Sequence, residues 1–241
     1  MQLKSEASKT YLSFLWWVIE PTIFMGIYYL VFGIILQRGT EDFIPFLLIG
    51  LITWRWFSNS ISSCSNSING SMSLINQINF PKVILPSITL VVVAFKFFII
   101  FALLLCFLWW YGFPITQAYV YLPLVLFVQH CINTACANLI ALLVPFIPDV
   151  KEIIRPVLRI AFYLSGVIYA VDRLPTEYQV YFDYNPMSQI IKAYRDILMY
   201  ATAPNLVELA KYLAFAMLAV VASHLMLRKF DPIFARVLIQ R

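Results

Sequence analysis

Apolar residues run through this chain in long blocks, broken by short polar stretches. A helix rises about 1.5 Å per residue, so roughly 20 mostly apolar residues cross a hydrocarbon layer about 30 Å thick. Six blocks approach that length, over about 21–37, 43–63, 85–111, 118–145, 154–171 and 206–227. Between them lie QRGTED, NSINGSMSLINQINFPK and PFIPDVKEIIRP. The pattern predicts an all-α polytopic membrane protein with six transmembrane helices in one domain spanning 1–241.

Two places break the simple pattern. The first is LWWVIEPTIF, where Glu20 and Pro21 interrupt an apolar run. One reading ends an interfacial helix, about Lys9 to Ile19, at this point. Trp16 and Trp17 would then sit at headgroup depth. Pro21 would open the first span, where its missing N–H is harmless, and Glu20 would lie at the favourable N-terminal end of that helix. The alternative is a continuous helix with Glu20 buried and paired to Arg55 or Lys96. The second place is 172–205. It predicts two short helices, Pro175 to about Phe182 and Pro186 to about Tyr200, with Asn185 as the cap of the second. Neither spans a bilayer comfortably, so they are expected at the outer interface or as a re-entrant pair lining or closing a passage.

Composition sharpens this picture. Hydrophobic residues make up 62% of the 241, aromatics 17% and charged residues 12%, about half the charged fraction of a soluble domain. Mean hydropathy is +0.82. The net charge of +5 belongs to scattered basic residues beside apolar runs, which argues for membrane lipids rather than nucleic acid as the partner. With both termini on one side, ten of the 17 basic residues fall on that side and five on the other. The positive-inside rule then makes both termini cytoplasmic. Arg55 and Lys96 remain, inside spans. Charges at that depth usually face a bundle interior, a partner or water. Trp54 and Trp56 flank Arg55 at the same depth, and ring faces in a polar-tinged passage suit a sugar chain.

Catalytic chemistry finds little support. His130 and His224 stand alone in apolar runs, and no GxSxG, HExxH, paired-carboxylate or Walker A spacing occurs. Cys64, Cys106, Cys131 and Cys136 read as small hydrophobes rather than metal ligands or disulfides. No metal or cofactor is expected on this chain.

Several blocks carry a family likeness. They are SFLWWVIEP (13–21), FLLIGLITWRWFSNSISSCSNSI (46–68), LINQINFPKVILP (74–86), PDVKEIIRPVLR (148–159), YLSGVIYAVDRLP (163–175) and NPMSQIIKAYRDIL (185–198). In these blocks the chain resembles the membrane subunit of type-2 ABC exporters, specifically the permeases that export O-antigen, capsule and teichoic acid. Pro148 stands where the family usually has Arg, and the segment before SFLWW is short.

The resemblance implies a homodimer of six-helix permease subunits around a conduit in the bacterial inner membrane. It implies a separate pair of nucleotide-binding ATPase subunits that hold ATP and Mg, and a lipid-linked polysaccharide as substrate. Loops 69–84 and 146–156 would couple to the ATPase, through Asn79, Phe80, Pro81, Lys82, Asp149, Lys151 and Glu152. The stretch holding Asn185, Pro186, Tyr194 and Arg195 would form the outer gate. Arg55, Lys96, Trp54, Trp56, Trp16 and Trp17 are the candidate channel or substrate residues, and Glu20 and Pro21 the candidate hinge. A small-molecule exporter of the same fold and a membrane-embedded polyprenyl-sugar transferase are the competing readings. The transferase would need clustered Asp, Glu or His at a membrane face.

Overall fold

The computed structural model describes residues 42–239 apart from 79, with isolated positions between 19 and 30. The expected interfacial helix, the span at 21–37, and Trp16, Trp17, Glu20, Pro21 and Asn79 lie outside the described residues. Among those described, the α-helices are α1 (Phe43–Cys64), α2 (Met72–Gln77), α3 (Ile84–Tyr111), α4 (Leu122–Leu143), α5 (Asp149–Tyr163), α6 (Thr176–Asp183), α7 (Pro186–Leu198) and α8 (Leu206–Ile239). No strand occurs among these residues. Three stretches are long and apolar enough to cross a membrane: Ile84–Tyr111, Gln117–Leu143 and Leu206–Phe234. At 22 residues, α1 is long enough, at about 33 Å, but its second half carries Arg55 and a run of Ser and Asn.

Local chemistry fixes the helix ends. Gly112 closes α3 in the left-handed region (φ 119°), and its N–H donates to the Leu108 and Trp109 carbonyls. An L side chain resists that conformation, so glycine is the natural stop. A proline lies in the first turn of both α4 and α7. Asn185 caps α7 as its sequence predicts: its Oδ1 accepts from the N–H of Met187 at 3.0 Å and of Ser188 at 3.4 Å.

The expected fifth span at 154–171 is corrected in both its bounds. Its helix, α5, starts earlier, at Asp149, and stops at Tyr163 after 15 residues, about 22 Å. The chain then turns through Gly166 (φ 65°), where an added Cβ would lie 2.7 Å from Val171 Cγ2. The carbonyls beyond Tyr163 are taken up by a side chain from α7, described below, so the helix does not need to continue. The last helix also outruns its expected end at 227, continuing past Pro232 to Ile239.

The core has two main parts. One joins α1, α3, α4 and α7 through Trp56, Phe97, Phe101, Val125, Val128, Ile190 and Tyr194. The other lies toward the opposite end, where Cys64, Val83, Leu85, Ala137, Leu142, Leu227 and Phe234 pack together. Ala137 and Ala141 are buried where α4 runs along α8; small residues let membrane helices approach closely. The outward faces of α3 and α8 expose Val91, Phe95, Phe98, Phe215, Leu218 and Leu225. That is the surface expected of helices whose solvent is lipid.

Candidate functional site

Two polar constellations stand at opposite ends of the bundle, with aromatic rings between them. At one end, α1 runs into the 65–83 loop, α4 runs into α5, and α8 finishes. Lys82 lies here, buried despite its charge. The Asp231 carboxylate on α8 accepts its backbone N–H at 2.6 Å and its ammonium at 3.3 Å. A buried charge needs such a partner. Phe80, like Phe146 and Phe230, packs against the buried cluster at this end, while Pro81 is exposed. Asp149, Lys151 and Glu152 form the exposed first turn of α5, where the two carboxylates suit the positive end of the helix dipole. Lys151 Nζ donates to Asn66 Oδ1 at 3.1 Å. The bond ties the loop expected at 146–156 to the turn that leads into the loop expected at 69–84.

Between the ends, Trp54 and Trp56 point inward. Trp56 stacks on Phe97 at 4.0 Å between centroids and lies 6.0 Å from the His130 ring. Trp54 meets Phe57 at 5.3 Å and the Phe162 edge at 6.0 Å. These are packing contacts that tie α1 to α3, α4 and α5. Arg55 and Lys96 are half-buried. Lys96 lines a crevice of about 390 Å³ with Ser63, Asn66, Ser67, Gly70 and Thr89.

At the opposite end, α7 buries one face against α1 and α4. Tyr194 is fully buried, and its hydroxyl donates to Gln129 Oε1 at 2.8 Å. Gln129 in turn donates from Nε2 to the Thr53 carbonyl at 2.9 Å, so one chain of hydrogen bonds crosses α7, α4 and α1. Arg195 is buried beside it. Its guanidinium donates to the carbonyls of Gly166 (2.9 Å), Val167 (2.8 Å) and Phe46 (3.2 Å from Nη2). Its carbon lies 3.3 Å from the Phe46 ring centroid, a cation–π contact in a desolvated setting. Asn185 also donates from Nδ2 to the Leu164 carbonyl at 2.9 Å, and Pro186 opens α7 beside it. The other face of α7 is polar. With α6 and α8 it borders a cavity of about 690 Å³ whose walls include Asp183, Lys192, Asp196, Glu208, Lys211 and Tyr212.

Some of these positions escape a reading of sequence. Gln129 is visible only as a polar residue in an apolar run. Asp231 lies beyond the expected end of the last span. Gly50 looks like any membrane glycine, yet a Cβ there would lie 2.7 Å from Arg195 Nη2 and 3.0 Å from the Val167 carbonyl.

The family model described as ABC-2 type transporter matches residues 4–199, which include α1 to α7. The chain belongs to the ABC-2 type transporter family. It is therefore a membrane subunit of a transporter and not an enzyme, which sets the transferase reading aside. It is similar to the O-antigen export system permease protein of Klebsiella pneumoniae, 25% identical over 201 residues that cover 83% of this chain and 78% of the relative. The protein of the same description from Myxococcus xanthus is 26% identical over 198 residues, 81% of this chain and 76% of the relative. The polysialic acid transport protein of Escherichia coli is 26% identical over 208 residues, 82% of this chain and 78% of the relative. With this membership and its apolar helices, this ABC-2 type transporter subunit is a multi-pass membrane protein.

Proposed function

We propose that this chain is the permease subunit of an ATP-driven exporter that moves a lipid-linked polysaccharide, O-antigen first among the candidates, from cytoplasm to periplasm. Two subunits of six spans each form the channel in the bacterial inner membrane, with both termini cytoplasmic. A pair of ATPase subunits carrying ATP and Mg docks on the end that holds Phe80, Lys82, Asp149, Lys151 and Glu152. The pair formed by α6 and α7 dips in from the outer side and gates the exit.

The observation that carries this reading is the agreement of the relatives on cargo. Those of both descriptions, O-antigen export and polysialic acid transport, match over about four-fifths of this chain. The geometry supports it. Lys151 of one coupling loop is tied to Asn66, just before the other, and Lys82 of that other loop is tied to a long helix through Asp231. The two basic residues within the bundle suit an anionic lipid diphosphate crossing a low-dielectric layer. The second reading is a capsular polysaccharide exporter, favoured by the polysialic acid relative. Deletion of the gene tests both: cells should lose surface polysaccharide and accumulate lipid-linked polymer inside. Unchanged surface polymer overturns the reading, and the chemistry of the retained polymer separates O-antigen from capsule.

A further inference from the structure

The cavity of about 690 Å³ among α6, α7 and α8 lies at the end of the bundle opposite Lys82. Its size falls in the range of ligand pockets, ~300–1,000 Å³. Two helix stripes form its walls. Gln189, Ala193 and Asp196 recur at helical spacing along α7, and Glu208, Tyr212 and Phe215 recur at the same spacing along α8. Between them Ala193 and Leu209 are buried and make an apolar floor. The rim is held in place: Gln189 Nε2 donates to Asp183 Oδ1 at 3.1 Å, and the Tyr212 hydroxyl donates to the Asp183 carbonyl.

Depth follows from the length of α8. Charges resume along it at Arg228 and Lys229. Roughly 20 residues, about 30 Å, back from there is Glu208. Glu208 and Lys211 therefore stand at the boundary between headgroups and hydrocarbon, and Phe215 lies about 10 Å deeper than Glu208. Phe215 is 71% exposed and, with Leu218, belongs to the face of α8 whose solvent is lipid. The cavity thus opens sideways to the bilayer. It is polar at headgroup level and apolar where acyl chains begin.

The charges in its walls have both signs. Lys211 Nζ meets Glu208 Oε1 at 2.7 Å, and Lys192 Nζ meets Asp172 Oδ1 at 3.6 Å. The Asp196 carboxylate is half-buried on the α7 stripe and has no hydrogen bond or salt bridge among the described residues. A lone anion would be repelled by Asp183, Asp196 and Glu208, and a lone cation by Lys192 and Lys211. A headgroup that carries both charges on a short link suits both. A primary ammonium has three N–H donors for carboxylates, where a quaternary ammonium has none.

We propose that this cavity binds a zwitterionic phospholipid with a primary ammonium, phosphatidylethanolamine. Its ammonium lies at Asp196, its phosphate toward Lys211 and Lys192, and an acyl chain along Phe215 and Leu218. One lipid then bridges α7 and α8 and braces the short helix pair against the last long helix. The proposal goes beyond the export reading and stands on the cavity and the membrane setting, so its failure leaves that reading intact.

The test titrates the full-length permease in a neutral detergent with phosphatidylethanolamine, phosphatidylcholine and phosphatidylglycerol of the same acyl chains. Native mass spectrometry reads the occupancy of the tightest site. Phosphatidylethanolamine should bind at least ten-fold more tightly than either other lipid. Asp196→Asn should cut the preference over phosphatidylcholine at least five-fold. Lys211→Gln, at an exposed position, should weaken phosphatidylethanolamine binding at least five-fold, and it decides the matter if Asp196→Asn fails to fold. Phosphatidylcholine binding as tightly as phosphatidylethanolamine overturns the proposal, since the carboxylates then recognise no ammonium donor. Phosphatidylglycerol binding as tightly also overturns it, assigning the cavity to ordinary anionic lipid. So does an unchanged preference in folded Asp196→Asn, or unchanged affinity in Lys211→Gln where that variant decides.

Discussion

Lys82 and Asp231 stand 149 residues apart in sequence, yet one carboxylate on α8 holds both the backbone N–H and the ammonium of that lysine. The loop that precedes α3 is therefore fastened to the last helix. The same helix reaches the other end of the bundle, where the Tyr212 hydroxyl donates to the Asp183 carbonyl at the end of α6. One continuous element joins the loop expected to meet the ATPase and the short helices expected to gate the exit.

Breaking that lock should cost stability and coupling. Asp231→Ala strands a buried ammonium and should destabilise the protein by about 1.5–3 kcal/mol, the range for hydrogen bonds to charged groups. Thermal unfolding in detergent would show the loss as a lower midpoint. Asp231→Asn keeps the backbone contact and should lose less. In a reconstituted complex, ATPase rate per exported chain should rise in Asp231→Ala, and an unchanged ratio would reject the coupling role.

Arg195 works through geometry that lysine does not share. Its planar fork reaches the Gly166, Val167 and Phe46 carbonyls while stacking on the Phe46 ring. A lysine is a point charge with donors at one atom. Arg195→Lys should therefore lower the unfolding midpoint clearly, and Arg195→Leu should cost at least about 3 kcal/mol by leaving buried carbonyls unpaired. Gly50→Ala should resemble Arg195→Lys, since its Cβ occupies the guanidinium's space. A wild-type midpoint in Gly50→Ala would contradict this packing.

The Tyr194–Gln129–Thr53 chain gives a subtler test. Tyr194→Phe removes one hydroxyl from a fully buried site and leaves Gln129 Oε1 without its donor. The expected cost is about 1–3 kcal/mol, that of an unsatisfied buried group. Adding Gln129→Leu removes the second polar group, and the double variant should cost less than the sum of the two single ones. Strict additivity would mean that the two residues do not interact.

Much of the architecture was legible because lipid imposes a length rule on apolar runs. Helices at 43–64, 84–111 and 117–143 follow from it within a residue or two, and the α6–α7 pair follows from Pro175, Asn185 and Pro186. The fifth run misled because hydropathy continues through LSGVIYA, whereas the backbone stops at Tyr163. Its exposed carbonyls are satisfied from α7, and nothing local to 164–170 announces that partner. The site was readable in kind but not in arrangement. Lys96 stands out in sequence as a charge among apolar residues, but the residues that share its crevice, Ser63 at the end of α1 and Asn66 and Gly70 in the turn that follows, are brought there by tertiary packing against α3. Lys82 reads as a loop lysine until Asp231 is placed beside it.

The central claim is that this permease moves a lipid-linked polysaccharide when driven by its ATPase. The most direct measurement places the permease and its cognate ATPase in proteoliposomes with the source strain's lipid-linked polymer in the outer leaflet. Inverted complexes face the added ATP, and transfer is read as protection of the polymer from an added glycosidase. The account predicts that protection grows with time when ATP and Mg are present, and that a non-hydrolysable analogue in place of ATP abolishes it. Polymer that stays fully digestible while the complex hydrolyses ATP would contradict the account.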